Sequence, residues 1–375
     1  MKNPIYINDA AMVAAVDSFK DQQETSFFNK KDSAWVGPIS SEKESQLNAF
    51  LKENESYRSL DRSVQLALLS ASSLKNVPSQ TGINIGSSRG ATGLWEEFYS
   101  RFRESGTVPT ATSPLTTLGN ISSWVAQDLG LKGTAFSHSI TCATASHAIL
   151  NAIAWLESGM ATSFIAGGSE APLTPFTVSQ MQALRIYSRD TDQYPCKALD
   201  LDKTQNSMIL GEAAAVFLLS KEDNNSVAKI TGYGSAIEKL ASATSVTASG
   251  DCLQESMRQA TQHMNLEDVD AIITHAPGTI KGDRAEFTAI KSVFGDQYPR
   301  LCNNKWQLGH ALGASSALNL AMGIEMLQSQ SMFTVPFLED SFVNPRGDVR
   351  IPKRILINAT GFGGNAVSLL IEKLY

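Results

Sequence analysis

Residues 137–156, SHSITCATASHAILNAIAWL, are the most informative part of this sequence. Residues 137–141 predict a short strand, and residues 144–156 predict a long helix rich in small side chains. Cys142 lies where the strand turns into the helix. A helix N-terminus favours the nucleophilic thiolate, so we expect a lowered pKa for Cys142 and backbone N–H groups that can stabilise an oxyanion. A cysteine here is equally consistent with a small buried hydrophobic residue.

Outward from this stretch, strands alternate with helices along the chain, which predicts an α/β protein with a buried sheet. The second half repeats the arrangement of the first, because Cys142 and His310 each precede a helix rich in Ala, Ser and Gly. We therefore predict two duplicated halves, residues 1–222 and 223–375, that meet in the acidic, Asn-rich segment 221–226. The other predicted strands are 82–86, 163–166, 227–233, 269–274, 354–359 and 367–374, and the other predicted helices are 62–75, 94–102, 255–264, 285–294 and 312–328.

The composition excludes several classes of protein. The 375 residues are 42% hydrophobic and 18% charged, as in an ordinary globular protein, and a net charge of -6 gives no support for nucleic-acid binding. No apolar run reaches the ~18 residues of a membrane span, and the N-terminus lacks the features of a signal peptide. We therefore expect a cytoplasmic protein with reduced thiols. The four cysteines form no CxxC pair, so we expect no metal site.

Two histidines strengthen the case for an active site. His275 opens the segment HAPGTIKGDRAE directly after a predicted strand, and His310 lies in NKWQLGHALGASS. A histidine in a loop beside glycine can direct its ring into a cleft. One such histidine is more simply explained by packing, whereas two of them and a cysteine at a helix start favour a catalytic site.

Four segments in this order resemble the signatures of the β-ketoacyl synthases of the thiolase superfamily, and the resemblance extends from about residue 58 to the C-terminus. It implies the five-layered αβαβα thiolase-like fold, usually a homodimer, and the elongating type of enzyme with one cysteine and two histidines. The four segments are ITCATASHAI (140–149), HAPGTIKGDRAE (275–286), NKWQLGHALGA (304–314) and NATGFGGNA (358–366).

The resemblance also implies roles for individual residues. Cys142 matches the acylated nucleophile, and His275 and His310 match the pair that promotes decarboxylation of a malonyl unit. Lys305 matches a buried lysine, and Glu286 matches an acidic residue that we expect to pair with it, either for catalysis or as a salt bridge that holds the fold.

The glycine turn near the C-terminus matches the part of the family site that binds the acyl thioester. Phe362 matches a gating phenylalanine, whose backbone N–H would form the oxyanion hole with that of Cys142. The remaining substrate-binding candidates are Thr279, Gly361, Gly363 and Arg89.

Several positions depart from the family pattern. Ala276 and Pro277 follow His275 where Gly-Thr is usual, so one threonine expected to contact the carrier's pantetheine arm is missing. Residues 205–207 read QNS where a charged residue, Asp and Gly are usual. Arg89 occupies a loop that lines the acyl pocket and usually carries a small or apolar residue. The first 57 residues lack the usual opening strand. Together these departures indicate a specialised fatty acid, polyketide or polyene pathway.

The leading functional prediction is therefore a β-ketoacyl-[acyl-carrier-protein] synthase that joins an acyl group on Cys142 to malonyl carried on acyl carrier protein. It needs no cofactor beyond the carrier's phosphopantetheine. We expect the acyl carrier protein as partner, with basic residues between Lys52 and Arg62 as a docking rim, and a homodimer or a heterodimer with a related subunit.

Three other readings make different demands on the sequence. A degradative thiolase needs a second cysteine in the C-terminal glycine loop, and an initiating ketosynthase has Asn in place of His310; neither is found. A non-catalytic chain-length-factor subunit stays open because of Arg89 and Pro277, although such subunits usually lack the nucleophile.

Overall fold

Strands and helices alternate through the molecule, as the sequence predicts. The computed structural model describes residues 3–20, 25–118, 120–239 and 246–374. The strands are β1 (Ile5–Val13), β2 (Asn29–Lys31), β3 (Ala34–Gly37), β4 (Gly82–Gly86), β5 (Ala135–Phe136), β6 (Ser163–Glu170), β7 (Leu210–Gly211), β8 (Ala213–Ser220), β9 (Ala228–Ile237), β10 (Ala271–Ile273), β11 (Arg300–Cys302), β12 (Arg354–Gly361) and β13 (Asn365–Glu372).

The helices fall close to their predicted positions. Within the described ranges, none is long and apolar enough to cross a membrane. They are α1 (Ser41–Glu53), α2 (Arg62–Ala71), α3 (Thr92–Ser105), α4 (Thr112–Thr116), α5 (Asn120–Asp128), α6 (Thr144–Glu157), α7 (Pro175–Ala183), α8 (Asp251–Thr261), α9 (Ile280–Phe294), α10 (Lys305–Leu308), α11 (Ser315–Ser329) and α12 (Asp340–Val343).

Ten of these strands form one mixed sheet in the order β11-β10-β12-β13-β9-β1-β8-β6-β4-β5. In the first half the strands in chain order are β1, β4, β5, β6 and β8, and in the second half they are β9 to β13. In both halves the third, second and fourth strands are parallel neighbours, and the fifth is antiparallel to the fourth and to the first. The repeated topology confirms two duplicated halves. The boundary at residues 222/223 lies between β8 and β9 and stays a prediction.

The two halves of the sheet enclose helices α6 and α11. Side chains of both halves, such as Phe164 and Ile357, form one core with Ile149 of α6 and Leu320 of α11. Helices α2 and α5 cover the outer face of the first half, and α8 and α9 cover the second. The five layers are therefore αβαβα. The inner helices are rich in small residues because they are enclosed by the two sheets.

Two predictions about strands are wrong. Residues 137–141 form no strand; the edge strand β5 is two residues long, and Thr141 has φ +47°. The N-terminal segment does supply an opening strand, because β1 pairs with both β8 and β9 and so joins the two halves. Its pattern was hidden by Asn8-Asp9, where the register shifts and the Asp9 carboxylate accepts from the backbone N of Lys75 at 2.7 Å.

Candidate active site

Cys142 lies in a tight turn that ends against the N-terminus of α6. The side chain is 7% exposed. The hydroxyl of Thr144 stabilises the turn, since it accepts from the backbone N of Ile140 at 2.8 Å and donates to the carbonyl of Thr141 at 2.6 Å. This local bonding holds Thr141 at positive φ and explains why the segment is a turn and not a strand.

The C-terminal glycine loop packs directly on this turn. The Thr141 hydroxyl donates to the carbonyl of Phe362 at 3.0 Å. A Cβ on Gly361 would come within 3.1 Å of the Cys142 backbone N and still closer to the Thr141 hydroxyl, so only glycine fits there. Gly363 has φ +96°, a conformation that favours glycine, and Phe362 is 39% exposed. The fold therefore brings the predicted loop beside the predicted nucleophile.

The predicted low pKa of Cys142 is wrong. Burial raises the pKa of this thiol to about 12, the nearby carboxylate of Glu170 raises it further, and only Lys305 opposes the shift. Desolvation disfavours the charged form of any buried acid, and this effect outweighs the helix terminus. Without substrate, Cys142 is therefore a thiol at neutral pH.

His275 and His310 lie together, with ring centroids 5.3 Å apart and ring planes at 84°. Both are buried, and the Nδ1 of His310 is 2.7 Å from the hydroxyl of Ser315. Burial first and the charge of Lys305 second hold the pKa of each ring well below 6.5, and His310 depresses the pKa of His275 further. Both rings are therefore neutral at pH 7, and a neutral imidazole has one N–H to donate.

The expected ion pair of Lys305 and Glu286 is not formed. The ammonium of Lys305 is fully buried and has no hydrogen-bond partner, and burial lowers its pKa to about 8. Glu286 instead accepts from the backbone N–H groups of His275 at 2.8 Å and Ala276 at 2.6 Å, and from the amide of Asn358 at 3.1 Å. The glutamate therefore fixes the turn that carries His275.

Sequence reasoning missed Glu170, at the end of β6. Its carboxylate is fully buried and accepts from the Ser87 hydroxyl at 2.9 Å and from the backbone N–H groups of Ser88 at 2.7 Å, Arg89 at 3.1 Å and Gly313 at 3.0 Å. Burial raises its pKa to about 7, although these four donors oppose the rise. The signal was an acidic residue at the end of a fully apolar strand, in the segment IAGGSEA.

The two remaining candidates lie at the margins of the site. The hydroxyl of Thr279 caps helix α9 by accepting from the backbone N of Gly282 at 3.2 Å. Arg89 lies in the loop after β4, where its guanidinium donates to the side-chain oxygen of Gln180 at 2.5 Å.

An open cleft lies beside these elements. Its volume is about 720 Å³, and Arg185, Arg189 and Asn206 contribute to its lining. The side chain of Asn206 accepts from the backbone N of Ile280 at 2.9 Å, so the cleft adjoins the Thr279 loop. Tyr187, another lining residue, packs in the same apolar cluster as Cys142.

Comparison with known proteins gives consistent matches. The model of the beta-ketoacyl synthase N-terminal domain matches residues 11–225, and that of the C-terminal domain matches residues 227–337. Nodulation protein E of Rhizobium sp. (strain N33) is 31% identical over 214 residues, which cover 54% of this chain and 51% of that protein. The chain thus spans about half the length of that relative. A 3-oxoacyl-[acyl-carrier-protein] synthase 2 of Coxiella burnetii is 28% identical over 360 residues, covering 87% of this chain and 86% of that one.

Solved structures confirm the fold. A beta-ketoacyl synthase from Burkholderia phymatum superposes with a TM-score of 0.80 at 20% identity and covers the whole of both chains. A type II polyketide ketosynthase, solved in complex with its acyl-carrier protein, gives 0.82 at 18% identity and covers 99% of this chain and 100% of that one. The ishigamide ketosynthase/chain length factor gives 0.83 at 17% identity, again over the whole of both chains.

Proposed function

This chain belongs to the beta-ketoacyl synthase family, and from that premise we propose that it is an acyltransferase, a β-ketoacyl-[acyl-carrier-protein] synthase of fatty acid, polyketide or polyene biosynthesis. The observation that carries the proposal is the convergence of Cys142, His275 and His310 around one buried lysine. Lys305 acts electrostatically on all three, and the Gly361–Phe362 loop adjoins the cysteine.

In the first half-reaction the sulfur of Cys142 attacks the carbonyl carbon of an acyl thioester. A carbon–sulfur bond to Cys142 forms, the bond to the carrier's pantetheine sulfur breaks, and the proton lost by the cysteine leaves with that sulfur. The backbone N–H groups of Cys142 and Phe362 would receive the oxyanion. The positive charge of Lys305 assists by favouring the thiolate as the thiol loses its proton.

In the second half-reaction a malonyl thioester loses carbon dioxide. The breaking carbon–carbon bond leaves its electron pair on an enolate, whose oxygen accepts hydrogen bonds from neutral His275 and His310. These donors bind the enolate more tightly than the ketone oxygen, and one good donor contributes about 3 kcal/mol. The carbanion then attacks the acyl carbon on Cys142, so that a carbon–carbon bond forms, the carbon–sulfur bond breaks and the sulfur is released.

The proposal extends to the partners. The arginine-bearing cleft next to Thr279 is a suitable entry for the pantetheine arm of an acidic carrier protein, and the rim between Lys52 and Arg62 is a second docking candidate. Two similar structures are complexes of a ketosynthase with its chain length factor. A homodimer, or a heterodimer with a related subunit, in the cytoplasm and without a cofactor other than the carrier's phosphopantetheine completes the proposal.

A condensation assay tests the proposal. The purified chain is mixed with acyl and malonyl carrier proteins, and β-ketoacyl product and carbon dioxide are measured. We expect Cys142→Ala to abolish product, because sulfur is the acyl acceptor, while Cys252→Ala, a matched change on α8, keeps wild-type turnover. If Cys142→Ala supports full product formation together with a related ketosynthase chain, this chain is the non-catalytic partner and the proposal fails.

A further inference from the structure

Arg89 carries a positive charge without a counter-ion among the described residues. Its terminal nitrogen donates to the neutral amide of Gln180, and its Nε is buried with no hydrogen-bond partner. A guanidinium removed from water keeps its desolvation cost unless an oxygen acceptor replaces the lost hydration. The side chain is therefore prepared for an acceptor that the described part of the protein does not supply.

The backbone that carries Arg89 is held rigidly. Glu170 accepts from the N–H groups of Ser88 and Arg89, and the hydroxyl of Ser87 accepts from the backbone N of Gly90 at 2.9 Å. With Gln180 holding the other end of the side chain, the guanidinium is pre-positioned between the loop and α7. Pre-positioning of this kind lowers the cost of binding a ligand.

The guanidinium also lies close to the surroundings of the nucleophile. Gln180 directly precedes Met181, which packs in the same apolar cluster as Cys142 and Leu312. Gly313, the residue after Leu312, donates to the same Glu170 carboxylate that Arg89 does. Two independent connections thus place Arg89 at the wall of the cluster around Cys142.

We propose that Arg89 selects the acyl group, in favour of acyl units whose far end carries an oxygen acceptor and above all a carboxylate. This inference rests on the proposed function. A planar guanidinium binds a carboxylate through two parallel charge-assisted hydrogen bonds. A plain alkyl chain would leave the buried Nε unpaired, and sites built around a buried polar group strongly reject ligands that lack its partner.

Matched thioesters test the inference. Half-thioesters of dicarboxylic acids from succinyl to suberyl are each compared with the alkanoyl thioester of equal length, and the initial rate of Cys142 acylation is measured on the full chain by mass spectrometry. We expect the carboxylated thioester to react at least about tenfold faster at one or more lengths. Arg89→Leu removes this preference, Arg89→Lys keeps part of it, and the control Arg101→Leu on the exposed face of α3 leaves it unchanged.

The outcomes separate this inference from the function on which it rests. Acylation of Cys142 without any preference for the carboxylated partner, or a preference that survives in folded Arg89→Leu, overturns the inference and leaves the proposed function in place. Failure of every thioester to acylate Cys142 overturns both. If Arg89→Leu does not fold, the comparison of wild type with Arg89→Lys decides, since only a role in binding predicts a reduced preference with the charge retained.

Discussion

Lys305 shows how a single buried residue separates chemistry from stability. Its ammonium has no hydrogen-bond partner, yet its charge lowers the pKa of Cys142. We predict that Lys305→Met keeps the free energy of unfolding within about 1 kcal/mol, because replacing a buried charge by an apolar side chain of similar size is often neutral. The thiolate fraction of Cys142 should fall about tenfold or more. Urea unfolding and the pH dependence of iodoacetamide alkylation measure the two effects.

Lys203 supplies the matched control. It is equally buried but pairs with Asp283 at 2.7 Å, so Lys203→Met leaves a buried carboxylate unpaired and should cost about 3–5 kcal/mol. If Lys305→Met loses as much stability as Lys203→Met and leaves the alkylation profile unchanged, then Lys305 is a structural residue.

The two active-site histidines predict a pH dependence. A pKa held well below 6.5 means that each ring stays neutral as the pH falls through the range where a free histidine gains a proton. With Cys142 blocked by alkylation, malonyl decarboxylation should therefore keep its rate from about pH 8 to about pH 6 and decline only at lower pH. A half-loss of rate near pH 6.5 would show that the rings titrate like exposed histidines.

At the scale of elements, Glu170 connects the end of β6 to the loop after β4 and to the turn before α11. Each carboxylate oxygen accepts from two donors. In Glu170→Gln an NH₂ group must face two of them, so we predict a loss of about 2–4 kcal/mol in urea unfolding. Glu104→Gln on the exposed part of α3 should change stability by less than about 0.5 kcal/mol. Equal stability of the two variants would rule out the connecting role.

The positions of most elements could be predicted because buried strands and small-residue helices have distinct patterns. The errors were local. Residues 137–141 read as a strand because the Thr144 hydroxyl that bonds this turn has no signature of its own. Strand β1 was missed because Asn8-Asp9 resembles a turn, while its pairing partners lie more than 200 residues away.

For the whole molecule, β1 is the strand that makes two similar halves one sheet. Ile7 is fully buried within it. We predict that Ile7→Ala lowers the free energy of unfolding by about 2–5 kcal/mol. We also expect urea unfolding to remain a single transition, because both halves share β1 and the core around α6 and α11. Two separate transitions, of which only one is shifted, would mean that the halves unfold independently.

The membership of the site was predictable, but its electrostatics were not. The order of the four segments identifies Cys142, His275 and His310, and the fold brings the two histidines together. The pairing of Lys305 with Glu286 failed because backbone N–H groups, which a sequence does not display, occupy the carboxylate. The pKa of Cys142 depends on burial by the whole fold, so no local motif reveals it.

The most direct test of the account is intact-protein and peptide mass spectrometry of the wild-type chain after incubation with an acyl-carrier thioester alone. The account predicts one acyl group per chain, located on the peptide of Cys142 and absent from Cys196, Cys252 and Cys302, and its removal on addition of malonyl-carrier protein. A chain that stays unmodified, or that carries the acyl group on another cysteine, would contradict the central claim.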